Sequence, residues 1–149
     1  MKNIKNIFSV LCRSSSVDRN TNLASIIEIL EEITISSGLK TENKNLESGN
    51  VINLPFELFT LWERSSDLTK ELEVKIKVTV VDPQGTEKEK INFLLKFESG
   101  KKRMRLIIKV PAFEFFGYGT YFFKVYLEQD GKFIQVQETS LDVKAEIKV

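Results

Sequence analysis

The stretch Leu72-Glu-Val-Lys-Ile-Lys-Val-Thr-Val-Val81 decides the fold class, because apolar and polar residues alternate along it. This period of two is typical of a β-strand with one buried and one solvated face. Asp82-Pro83-Gln84-Gly85 follows and is a turn sequence, since proline presets φ and glycine can take a positive φ. The alternation resumes from Ile91 to Phe97. The sequence therefore predicts two antiparallel strands joined by a tight turn.

Five further segments alternate in the same way on both sides of this pair. They are Phe8 to Cys12, Phe56 to Trp62, Met104 to Val110, Tyr121 to Leu127 and Phe133 to Val143. The last two are joined through Asp130-Gly131, a common hairpin dipeptide. Strands at regular spacing with turns between them predict one domain over residues 1–149. We expect an all-β fold, a single antiparallel β-sandwich of seven or eight strands, immunoglobulin-like or related.

Two segments of the first half are less regular. Leu23 to Ile35 fits helical spacing through Ile26, Ile27, Leu30 and Ile33, but it also fits a strand, and its many isoleucines favour the strand. Periodicity alone leaves both structures open. Ser36 to Asn50 is polar with a glycine near each end, which predicts a mobile loop.

Composition excludes several classes of function. The 149 residues carry a net charge of +1, contain no histidine and contain one cysteine. Ser-His and Cys-His catalysis, intramolecular disulfides and multi-cysteine metal sites are therefore excluded. The apolar run from Ile7 to Cys12 is too short for an export signal, and no segment approaches the roughly 18–20 apolar residues of a membrane span. We expect a cytoplasmic protein with no membrane segment, no metal and no cofactor.

The order of these segments resembles a known family. The matching segments are Phe8 to Asp18, Asn20 to Leu30, Leu54 to Trp62, Val78 to Gly85, Lys102 to Arg105 and Gly119 to Val125. In this order they resemble a family of small prokaryotic β-sandwich proteins of unknown function. The resemblance implies a bacterial β-sandwich and a strand over Leu23 to Leu30. It implies no catalytic residue, cofactor or ligand.

A second resemblance concerns Gly119-x-Tyr121-x-Phe123. It is similar to the Gly-x-Tyr-x-Cys entry into the sixth strand of immunoglobulin-like sandwiches, with Phe123 in place of the cysteine. In those domains the tyrosine hydroxyl often bonds to backbone at a corner between the sheets. The resemblance implies the same role for Tyr121.

Four neighbouring aromatic residues form the first candidate site. Phe113, Phe115, Phe116 and Tyr118 follow Pro111 in a predicted loop. If exposed, they would form a tip that binds a partner. If buried, they would close the open end of the core. We name them as candidate partner-binding residues.

Basic residues form the second candidate site. Residues 70–109 contain 11 basic and 6 acidic residues, a segment charge of +5. The excess is concentrated at Lys101, Lys102, Arg103 and Arg105, the candidate anion-binding residues. The outward strand positions also include Lys75, Lys77, Lys90, Lys96 and Lys109. If their strands lie in one sheet, these residues form a basic face suited to phosphates or an acidic partner. Outward lysines also keep strand edges unpaired.

Other motifs predict ordinary structure. Asp18-x-Asn20-x-Asn22 begins like a calcium loop but lacks the glycine and glutamate that such a loop needs, so we expect an Asx turn. Gly117-Tyr-Gly119 lacks the frame of a phosphate loop. The glutamates at positions 28, 31 and 32 fit a solvated face. Cys12 is in phase with Phe8 and Val10, which predicts burial without reactivity.

No catalytic set emerges from the sequence. We therefore predict a non-enzymatic module that binds an unidentified protein partner, or self-associates as a homo-oligomer, through a sheet edge or the segment Phe113–Tyr118. The alternative is binding of a polyanion, either nucleic acid or an acidic partner, around residues 101–105. Nucleic acid is the less favoured ligand because no aromatic residues are interleaved with the basic ones.

Overall fold

A computed structural model describes residues 3–35, 49–65 and 67–146. Within these residues the chain forms eleven strands and no helix. The strands are β1 (Ile4–Val17), β2 (Ala24–Ile29), β3 (Glu32–Ile35), β4 (Asn50–Ile52), β5 (Phe56–Arg64), β6 (Leu72–Val81), β7 (Glu87–Phe97), β8 (Arg103–Val110), β9 (Phe113–Phe115), β10 (Gly119–Gln129) and β11 (Lys132–Ala145).

Two sheets pack face to face around the core. One has four strands in the order β2-β1-β5-β8, and the other has five in the order β3-β11-β10-β6-β7. Neighbours are antiparallel except β3, which runs parallel to β11. A third, small sheet pairs β4 with β9. This arrangement confirms the predicted all-β sandwich. The strands beyond the predicted seven or eight are β3, β4 and β9, which have only three or four residues each.

The predicted inward rows form the core between the sheets. The buried apolar side chains of the central strands include Val74, Ile76 and Val78 of β6 and Tyr121, Phe123, Val125 and Leu127 of β10. From the facing sheet, Trp62 is fully buried. Its indole N–H donates to the Thr60 hydroxyl at 2.8 Å, and that hydroxyl donates to the Leu106 carbonyl at 2.6 Å. A buried polar chain is thus satisfied within the core.

The ambiguous segment Leu23 to Ile35 forms two strands, as its isoleucine content favoured. β2 lies at the edge of the four-stranded sheet and β3 at the edge of the other, so the chain changes sheet at Leu30 and Glu31. Of the predicted loop Ser36–Asn50, residues 36–48 lie outside the described residues. Gly49 takes a positive φ of 90° and Asn50 begins β4.

The tyrosine corner is confirmed. The Tyr121 hydroxyl donates to the Gly117 carbonyl and accepts from the Phe116 N–H, both at 2.7 Å. Gly119 adopts a φ of 132°, and a Cβ there would lie 2.8 Å from Cβ of Pro83, so the corner needs glycine. The residues that resemble an immunoglobulin-like domain thus make the contacts that the resemblance implied.

Arg64 secures the opposite end of the sandwich without a carboxylate partner among the described residues. Its side chain is fully buried, and its guanidinium donates to the carbonyls of Leu68, Lys70, Glu98 and Lys101. The donor–acceptor distances run from 2.6 to 3.2 Å. Phe97 lies against the cation, with its ring centroid 5.6 Å away. One side chain therefore joins the β5 end to the turns before β6 and β8.

Candidate functional site

The hairpin of β1 and β2 bends away from its sheet at Arg13 and Glu28. β1 pairs with β5 only from Ile4 to Cys12, whereas its pairing with β2 runs from Cys12 to Val17. Glu28 adopts a φ of 53°, which is unusual for a residue other than glycine and interrupts the regular pleat. The outer half of the hairpin is therefore free to leave the plane of the sheet.

The tip of this hairpin reaches β8. Arg105 donates from Nη1 to Asn22 Oδ1 at 3.1 Å and from Nη2 to the Asn22 carbonyl at 2.8 Å. Since β5 lies between β1 and β8, the hairpin must cross over the outer face of β5 to make this contact. The predicted Asx turn is confirmed at the tip, where the Asp18 carboxylate accepts the N–H groups of Asn20 and Thr21 at 2.8 and 2.9 Å. These two bonds lower the pKa of Asp18.

A groove of about 610 Å³ lies between the hairpin and the sheet. Phe8, Phe59, Leu61 and Ile107 form its apolar floor, and the hairpin contributes Val17, Ala24 and Ile26. Phe8 stacks on Phe59 with ring centroids 5.9 Å apart. Phe59 is only 1% exposed although it points away from the core, which its neighbour Leu58 faces. The overlying hairpin and Phe8 account for this burial.

The rim of the groove is basic. Lys101, Arg103 and Arg105 line it together with a single acidic residue, Glu98. Arg103 is neutralised by Glu63, its Nε lying 2.8 Å from Glu63 Oε2. This hydrogen bond lowers the pKa of Glu63, and the charges of Lys102, Arg103 and Lys5 add to the effect. The four cations at this end of β8 (Lys101, Lys102, Arg103 and Arg105) outnumber the carboxylates of Glu63 and Glu98 beside them.

Three of the four candidate anion-binding residues share this groove. Lys101, Arg103 and Arg105 line it, and Lys102 lies exposed beside Glu63. Within the described ranges, Lys101, Lys102 and Arg105 have no carboxylate within ion-pair distance. Arg105 bonds only to the neutral groups of Asn22. The sequence located these cations but not the apolar floor between them.

The expected single basic face is not formed. Lys75 and Lys77 lie on β6, and Lys90 and Lys96 on β7, in the five-stranded sheet, whereas the outward cations of β8 belong to the four-stranded sheet. The reason is the turn at Ser99-Gly100-Lys101, where the chain passes from one sheet to the other. Several of the lysines are also engaged: Lys96 pairs with Glu71 at 3.2 Å, and Lys77 lies 4.3 Å from the ring centroid of Tyr126.

The expected exposed aromatic tip is also incorrect. Phe113 and Phe115 are buried, because β9 pairs with β4 and directs both rings into the core. The Phe113 ring packs edge-on against Tyr121 at 5.0 Å. Phe116 is half-buried beneath Lys88, and only Tyr118 is exposed, at 49%. The segment closes the end of the core, the other possibility that the sequence left open.

The edge of β2 differs from the other free edges of the two large sheets in the described parts of the chain. β7 and β8 each carry three cations, and β3 has only four residues, with Glu32 bound to Lys144 at 2.8 Å. Such charges and short lengths keep edges unpaired. β2, with the sequence Ala-Ser-Ile-Ile-Glu-Ile, contains neither lysine nor proline. Leu23, Ile27 and Ile29 are 69%, 48% and 60% exposed on and beside it.

Two titratable groups that do not line the groove, Cys12 and Glu89, have raised pKa values. Cys12 is buried as predicted, and its pKa is raised by burial and by the nearby charge of Glu57. Glu89 lines an apolar gap between β7 and β8, and its pKa is raised by partial burial and by Glu114. Across residues 3–35, 49–65 and 67–146, no group of three acidic or cysteine side chains could hold a metal ion.

Comparisons with known proteins bear on the fold. No protein-family model matches the sequence, and no curated protein matches it significantly. The chain is similar in structure to the alkylpurine DNA glycosylase AlkC of Pseudomonas fluorescens, solved with DNA containing an abasic site analogue. The TM-score is 0.52 at 8% identity, covering 96% of this chain but only 31% of AlkC. At this identity the similarity concerns the fold alone.

A second solved structure is an immunoglobulin-like protein from Pseudomonas aeruginosa. It matches with a TM-score of 0.37 and 14% identity over 95% of this chain and 97% of that protein.

In the described part of the chain, no helix is long and apolar enough to cross a membrane.

Proposed function

We propose that this chain is a non-enzymatic protein-interaction module that self-associates by pairing the free edge of β2 with β2 of a second copy. The observation that carries the proposal is the exposed apolar edge, which lacks the charges found on β7 and β8. A strand hydrogen-bonded on one side only presents unpaired N–H and C=O groups to any strand that approaches.

A second copy fits this edge by symmetry. Two antiparallel copies of β2 related by a two-fold axis at Ile27 place Ile27 against its own equivalent. Glu28 is the only charged residue of β2 and is already near Arg13, at 4.0 Å, so two edges meet without strong repulsion. Because the paired segment is short, we expect a weak dimer with a Kd on the order of tens of micromolar.

Sedimentation velocity from about 5 to about 500 µM protein tests this proposal. We expect the wild type to shift from monomer to dimer over this range. Ile27→Lys should remain monomeric, because it places a charge on the edge. Leu94→Lys is the matched control: Leu94 is 58% exposed on the edge strand β7, and its replacement should leave association unchanged. A wild type that stays monomeric, or an Ile27→Lys variant that dimerises equally well, would contradict the proposal.

The alternative function is polyanion binding around residues 101–105. It is supported by Lys101, Lys102 and Arg105, which have no carboxylate partner in the described chain. Retention on immobilised heparin at low salt, falling steeply as salt rises, is the expected result. An absence of retention at low salt would exclude it.

Two further expectations remain predictions. Membership of a family of small prokaryotic β-sandwich proteins rests on the order of sequence segments. A cytoplasmic location rests on the lone cysteine. Both are compatible with a binding module that has no catalytic set.

A further inference from the structure

We propose that the groove beneath the β1–β2 hairpin binds an extended acidic segment of a partner protein, with an apolar side chain on the floor and carboxylates at Arg105 and Lys101. The proposal extends the alternative anion-binding function to one class of partner. It does not depend on association through β2.

Arg105 can bind a carboxylate at the rim of the groove. Two of its guanidinium nitrogens bond to the side-chain and backbone oxygens of Asn22, both neutral acceptors. A carboxylate accepts two parallel N–H bonds from arginine, and such charge-assisted bonds are roughly twice as strong as bonds to neutral oxygens. An acidic side chain would therefore compete for Arg105 with the hairpin tip.

The floor of the groove can hold an apolar side chain beside these cations. Phe8, Leu61 and Ile107 are each half-buried and line one groove with Lys101 and Arg105. In an extended peptide, successive side chains point in opposite directions. A segment in which acidic and apolar residues alternate can therefore direct apolar side chains to the floor and carboxylates to the rim, as in other strand-recognition grooves.

The same features disfavour nucleic acid. Single-stranded nucleic acid is held by stacking on exposed rings and by cations that follow its backbone. Here Phe59 is covered, so Phe8 is the only accessible ring of the floor. The outward cations are divided between the two sheets, and the net charge of the chain is only +1. Charge and apolar surface coincide at the groove beneath the hairpin.

Selection from a displayed library of random peptides, followed by fluorescence polarisation with the enriched sequences, tests the proposal. We expect enrichment of peptides that alternate Glu or Asp with apolar residues. Arg105→Ser should weaken their binding about tenfold or more, since a charge-assisted bidentate contact is lost. Lys109→Ser is the matched control, because Lys109 lies exposed on β8 without lining the groove. It should leave the affinity within about twofold.

Asn22 allows a second test that leaves the groove residues intact. Asn22→Asp places a carboxylate beside Arg105 and should weaken peptide binding. Asn22→Gly keeps the positive φ of 57° and removes the side-chain bond, so it should bind at least as tightly as the wild type. A purely structural role of the hairpin would make Asn22→Gly the weaker binder.

The outcomes separate this proposal from the polyanion function on which it builds. Enriched peptides without acidic residues, or equal binding by Arg105→Ser, would overturn it. Tighter binding of a single-stranded oligonucleotide than of the acidic peptides would also overturn it while supporting the polyanion function. No binding of either probe at low salt would exclude both.

Discussion

Replacement of Arg64 by methionine should be among the most destabilising single changes in this protein. The guanidinium makes four hydrogen bonds to carbonyls of two turns, at Leu68 and Lys70 on one side and Glu98 and Lys101 on the other. Methionine fills similar space with an apolar chain but removes all four of these bonds. The Leu68 and Glu98 carbonyls still accept from the backbone N–H groups of Gly100 and Lys101, at 2.6 and 3.0 Å. The turns then lose the group that joins them to β5.

The magnitude follows from two opposing terms. Each hydrogen bond to a charged group contributes a net of about 1.5–3 kcal/mol, so four would contribute about 6–12 kcal/mol. Burial of a cation without a counterion costs several kcal/mol, which methionine does not incur. Water that reaches the turns forms hydrogen bonds to the carbonyls and restores part of the lost free energy. We expect a net loss of about 3–5 kcal/mol, or a fall in Tm of about 10 °C for a chain of this size.

Urea unfolding followed by tryptophan fluorescence measures this loss, since Trp62 is buried in the same strand. Arg64→Lys should fall between wild type and Arg64→Met, because an ammonium cannot span four separate carbonyls. Arg103→Met is the matched control: its exposed pair with Glu63 should contribute only about 0–1 kcal/mol. An Arg64→Met variant within about 1 kcal/mol of the wild type would refute the role assigned to Arg64.

Three further predictions concern the corner and two titrating groups. Tyr121→Phe leaves the Phe116 N–H and the Gly117 carbonyl without partners and should cost about 1–3 kcal/mol by urea unfolding; no loss would contradict the corner. Cys12 should resist a thiol reagent at pH 8 in the folded protein and react on unfolding, because it is buried and its pKa is raised; rapid reaction of the native protein would disprove this. Glu89 has a raised pKa in the fold, so its contribution to stability is present below its unfolded pKa and is lost as pH rises through the folded value. Glu89→Gln should therefore be more stable than wild type at pH 7, with a difference that narrows toward pH 4, and a pH-independent difference would count against it.

The alternation of apolar and polar residues predicted much of the fold. The buried residues of β6 and β10 were predicted correctly, because the apolar residues that alternate along each strand are the ones that face the core. The corner at Tyr121 was predicted from three residues, because its geometry is local. The short pair β4–β9 could not be found, since three-residue strands have too few positions to show a period.

The candidate site depends on features that the alternation of apolar and polar residues does not encode. The hairpin leaves its sheet where Glu28 takes a positive φ, and nothing in the residue type predicts that conformation. One signal was available: in Phe56-Glu-Leu-Phe-Thr-Leu-Trp62 the apolar residues occupy both phases, which indicates that both faces of the strand are covered. The burial of Arg64 could also have been predicted from this strand, because Arg64 alternates in phase with the buried Trp62.

The sequence did not predict which of the basic and aromatic side chains lie close together. Their residues were identified from composition, but which side chains meet depends on the sheet that each strand joins. The turn before β8 sends Arg103 and Arg105 to the sheet opposite Lys75 and Lys77. Pairing of β9 with β4 turns Phe113 and Phe115 inward. These are long-range pairings, and local sequence does not determine them.

Amide hydrogen exchange at two protein concentrations, one below and one well above the expected Kd, tests the proposed edge pairing most directly. We expect amides of β2 to exchange more slowly at the high concentration, because a second strand accepts their hydrogen bonds, whereas those of the charged edge β7 should not change. Exchange of β2 that is independent of concentration, or slowing that is confined to another edge, would contradict it.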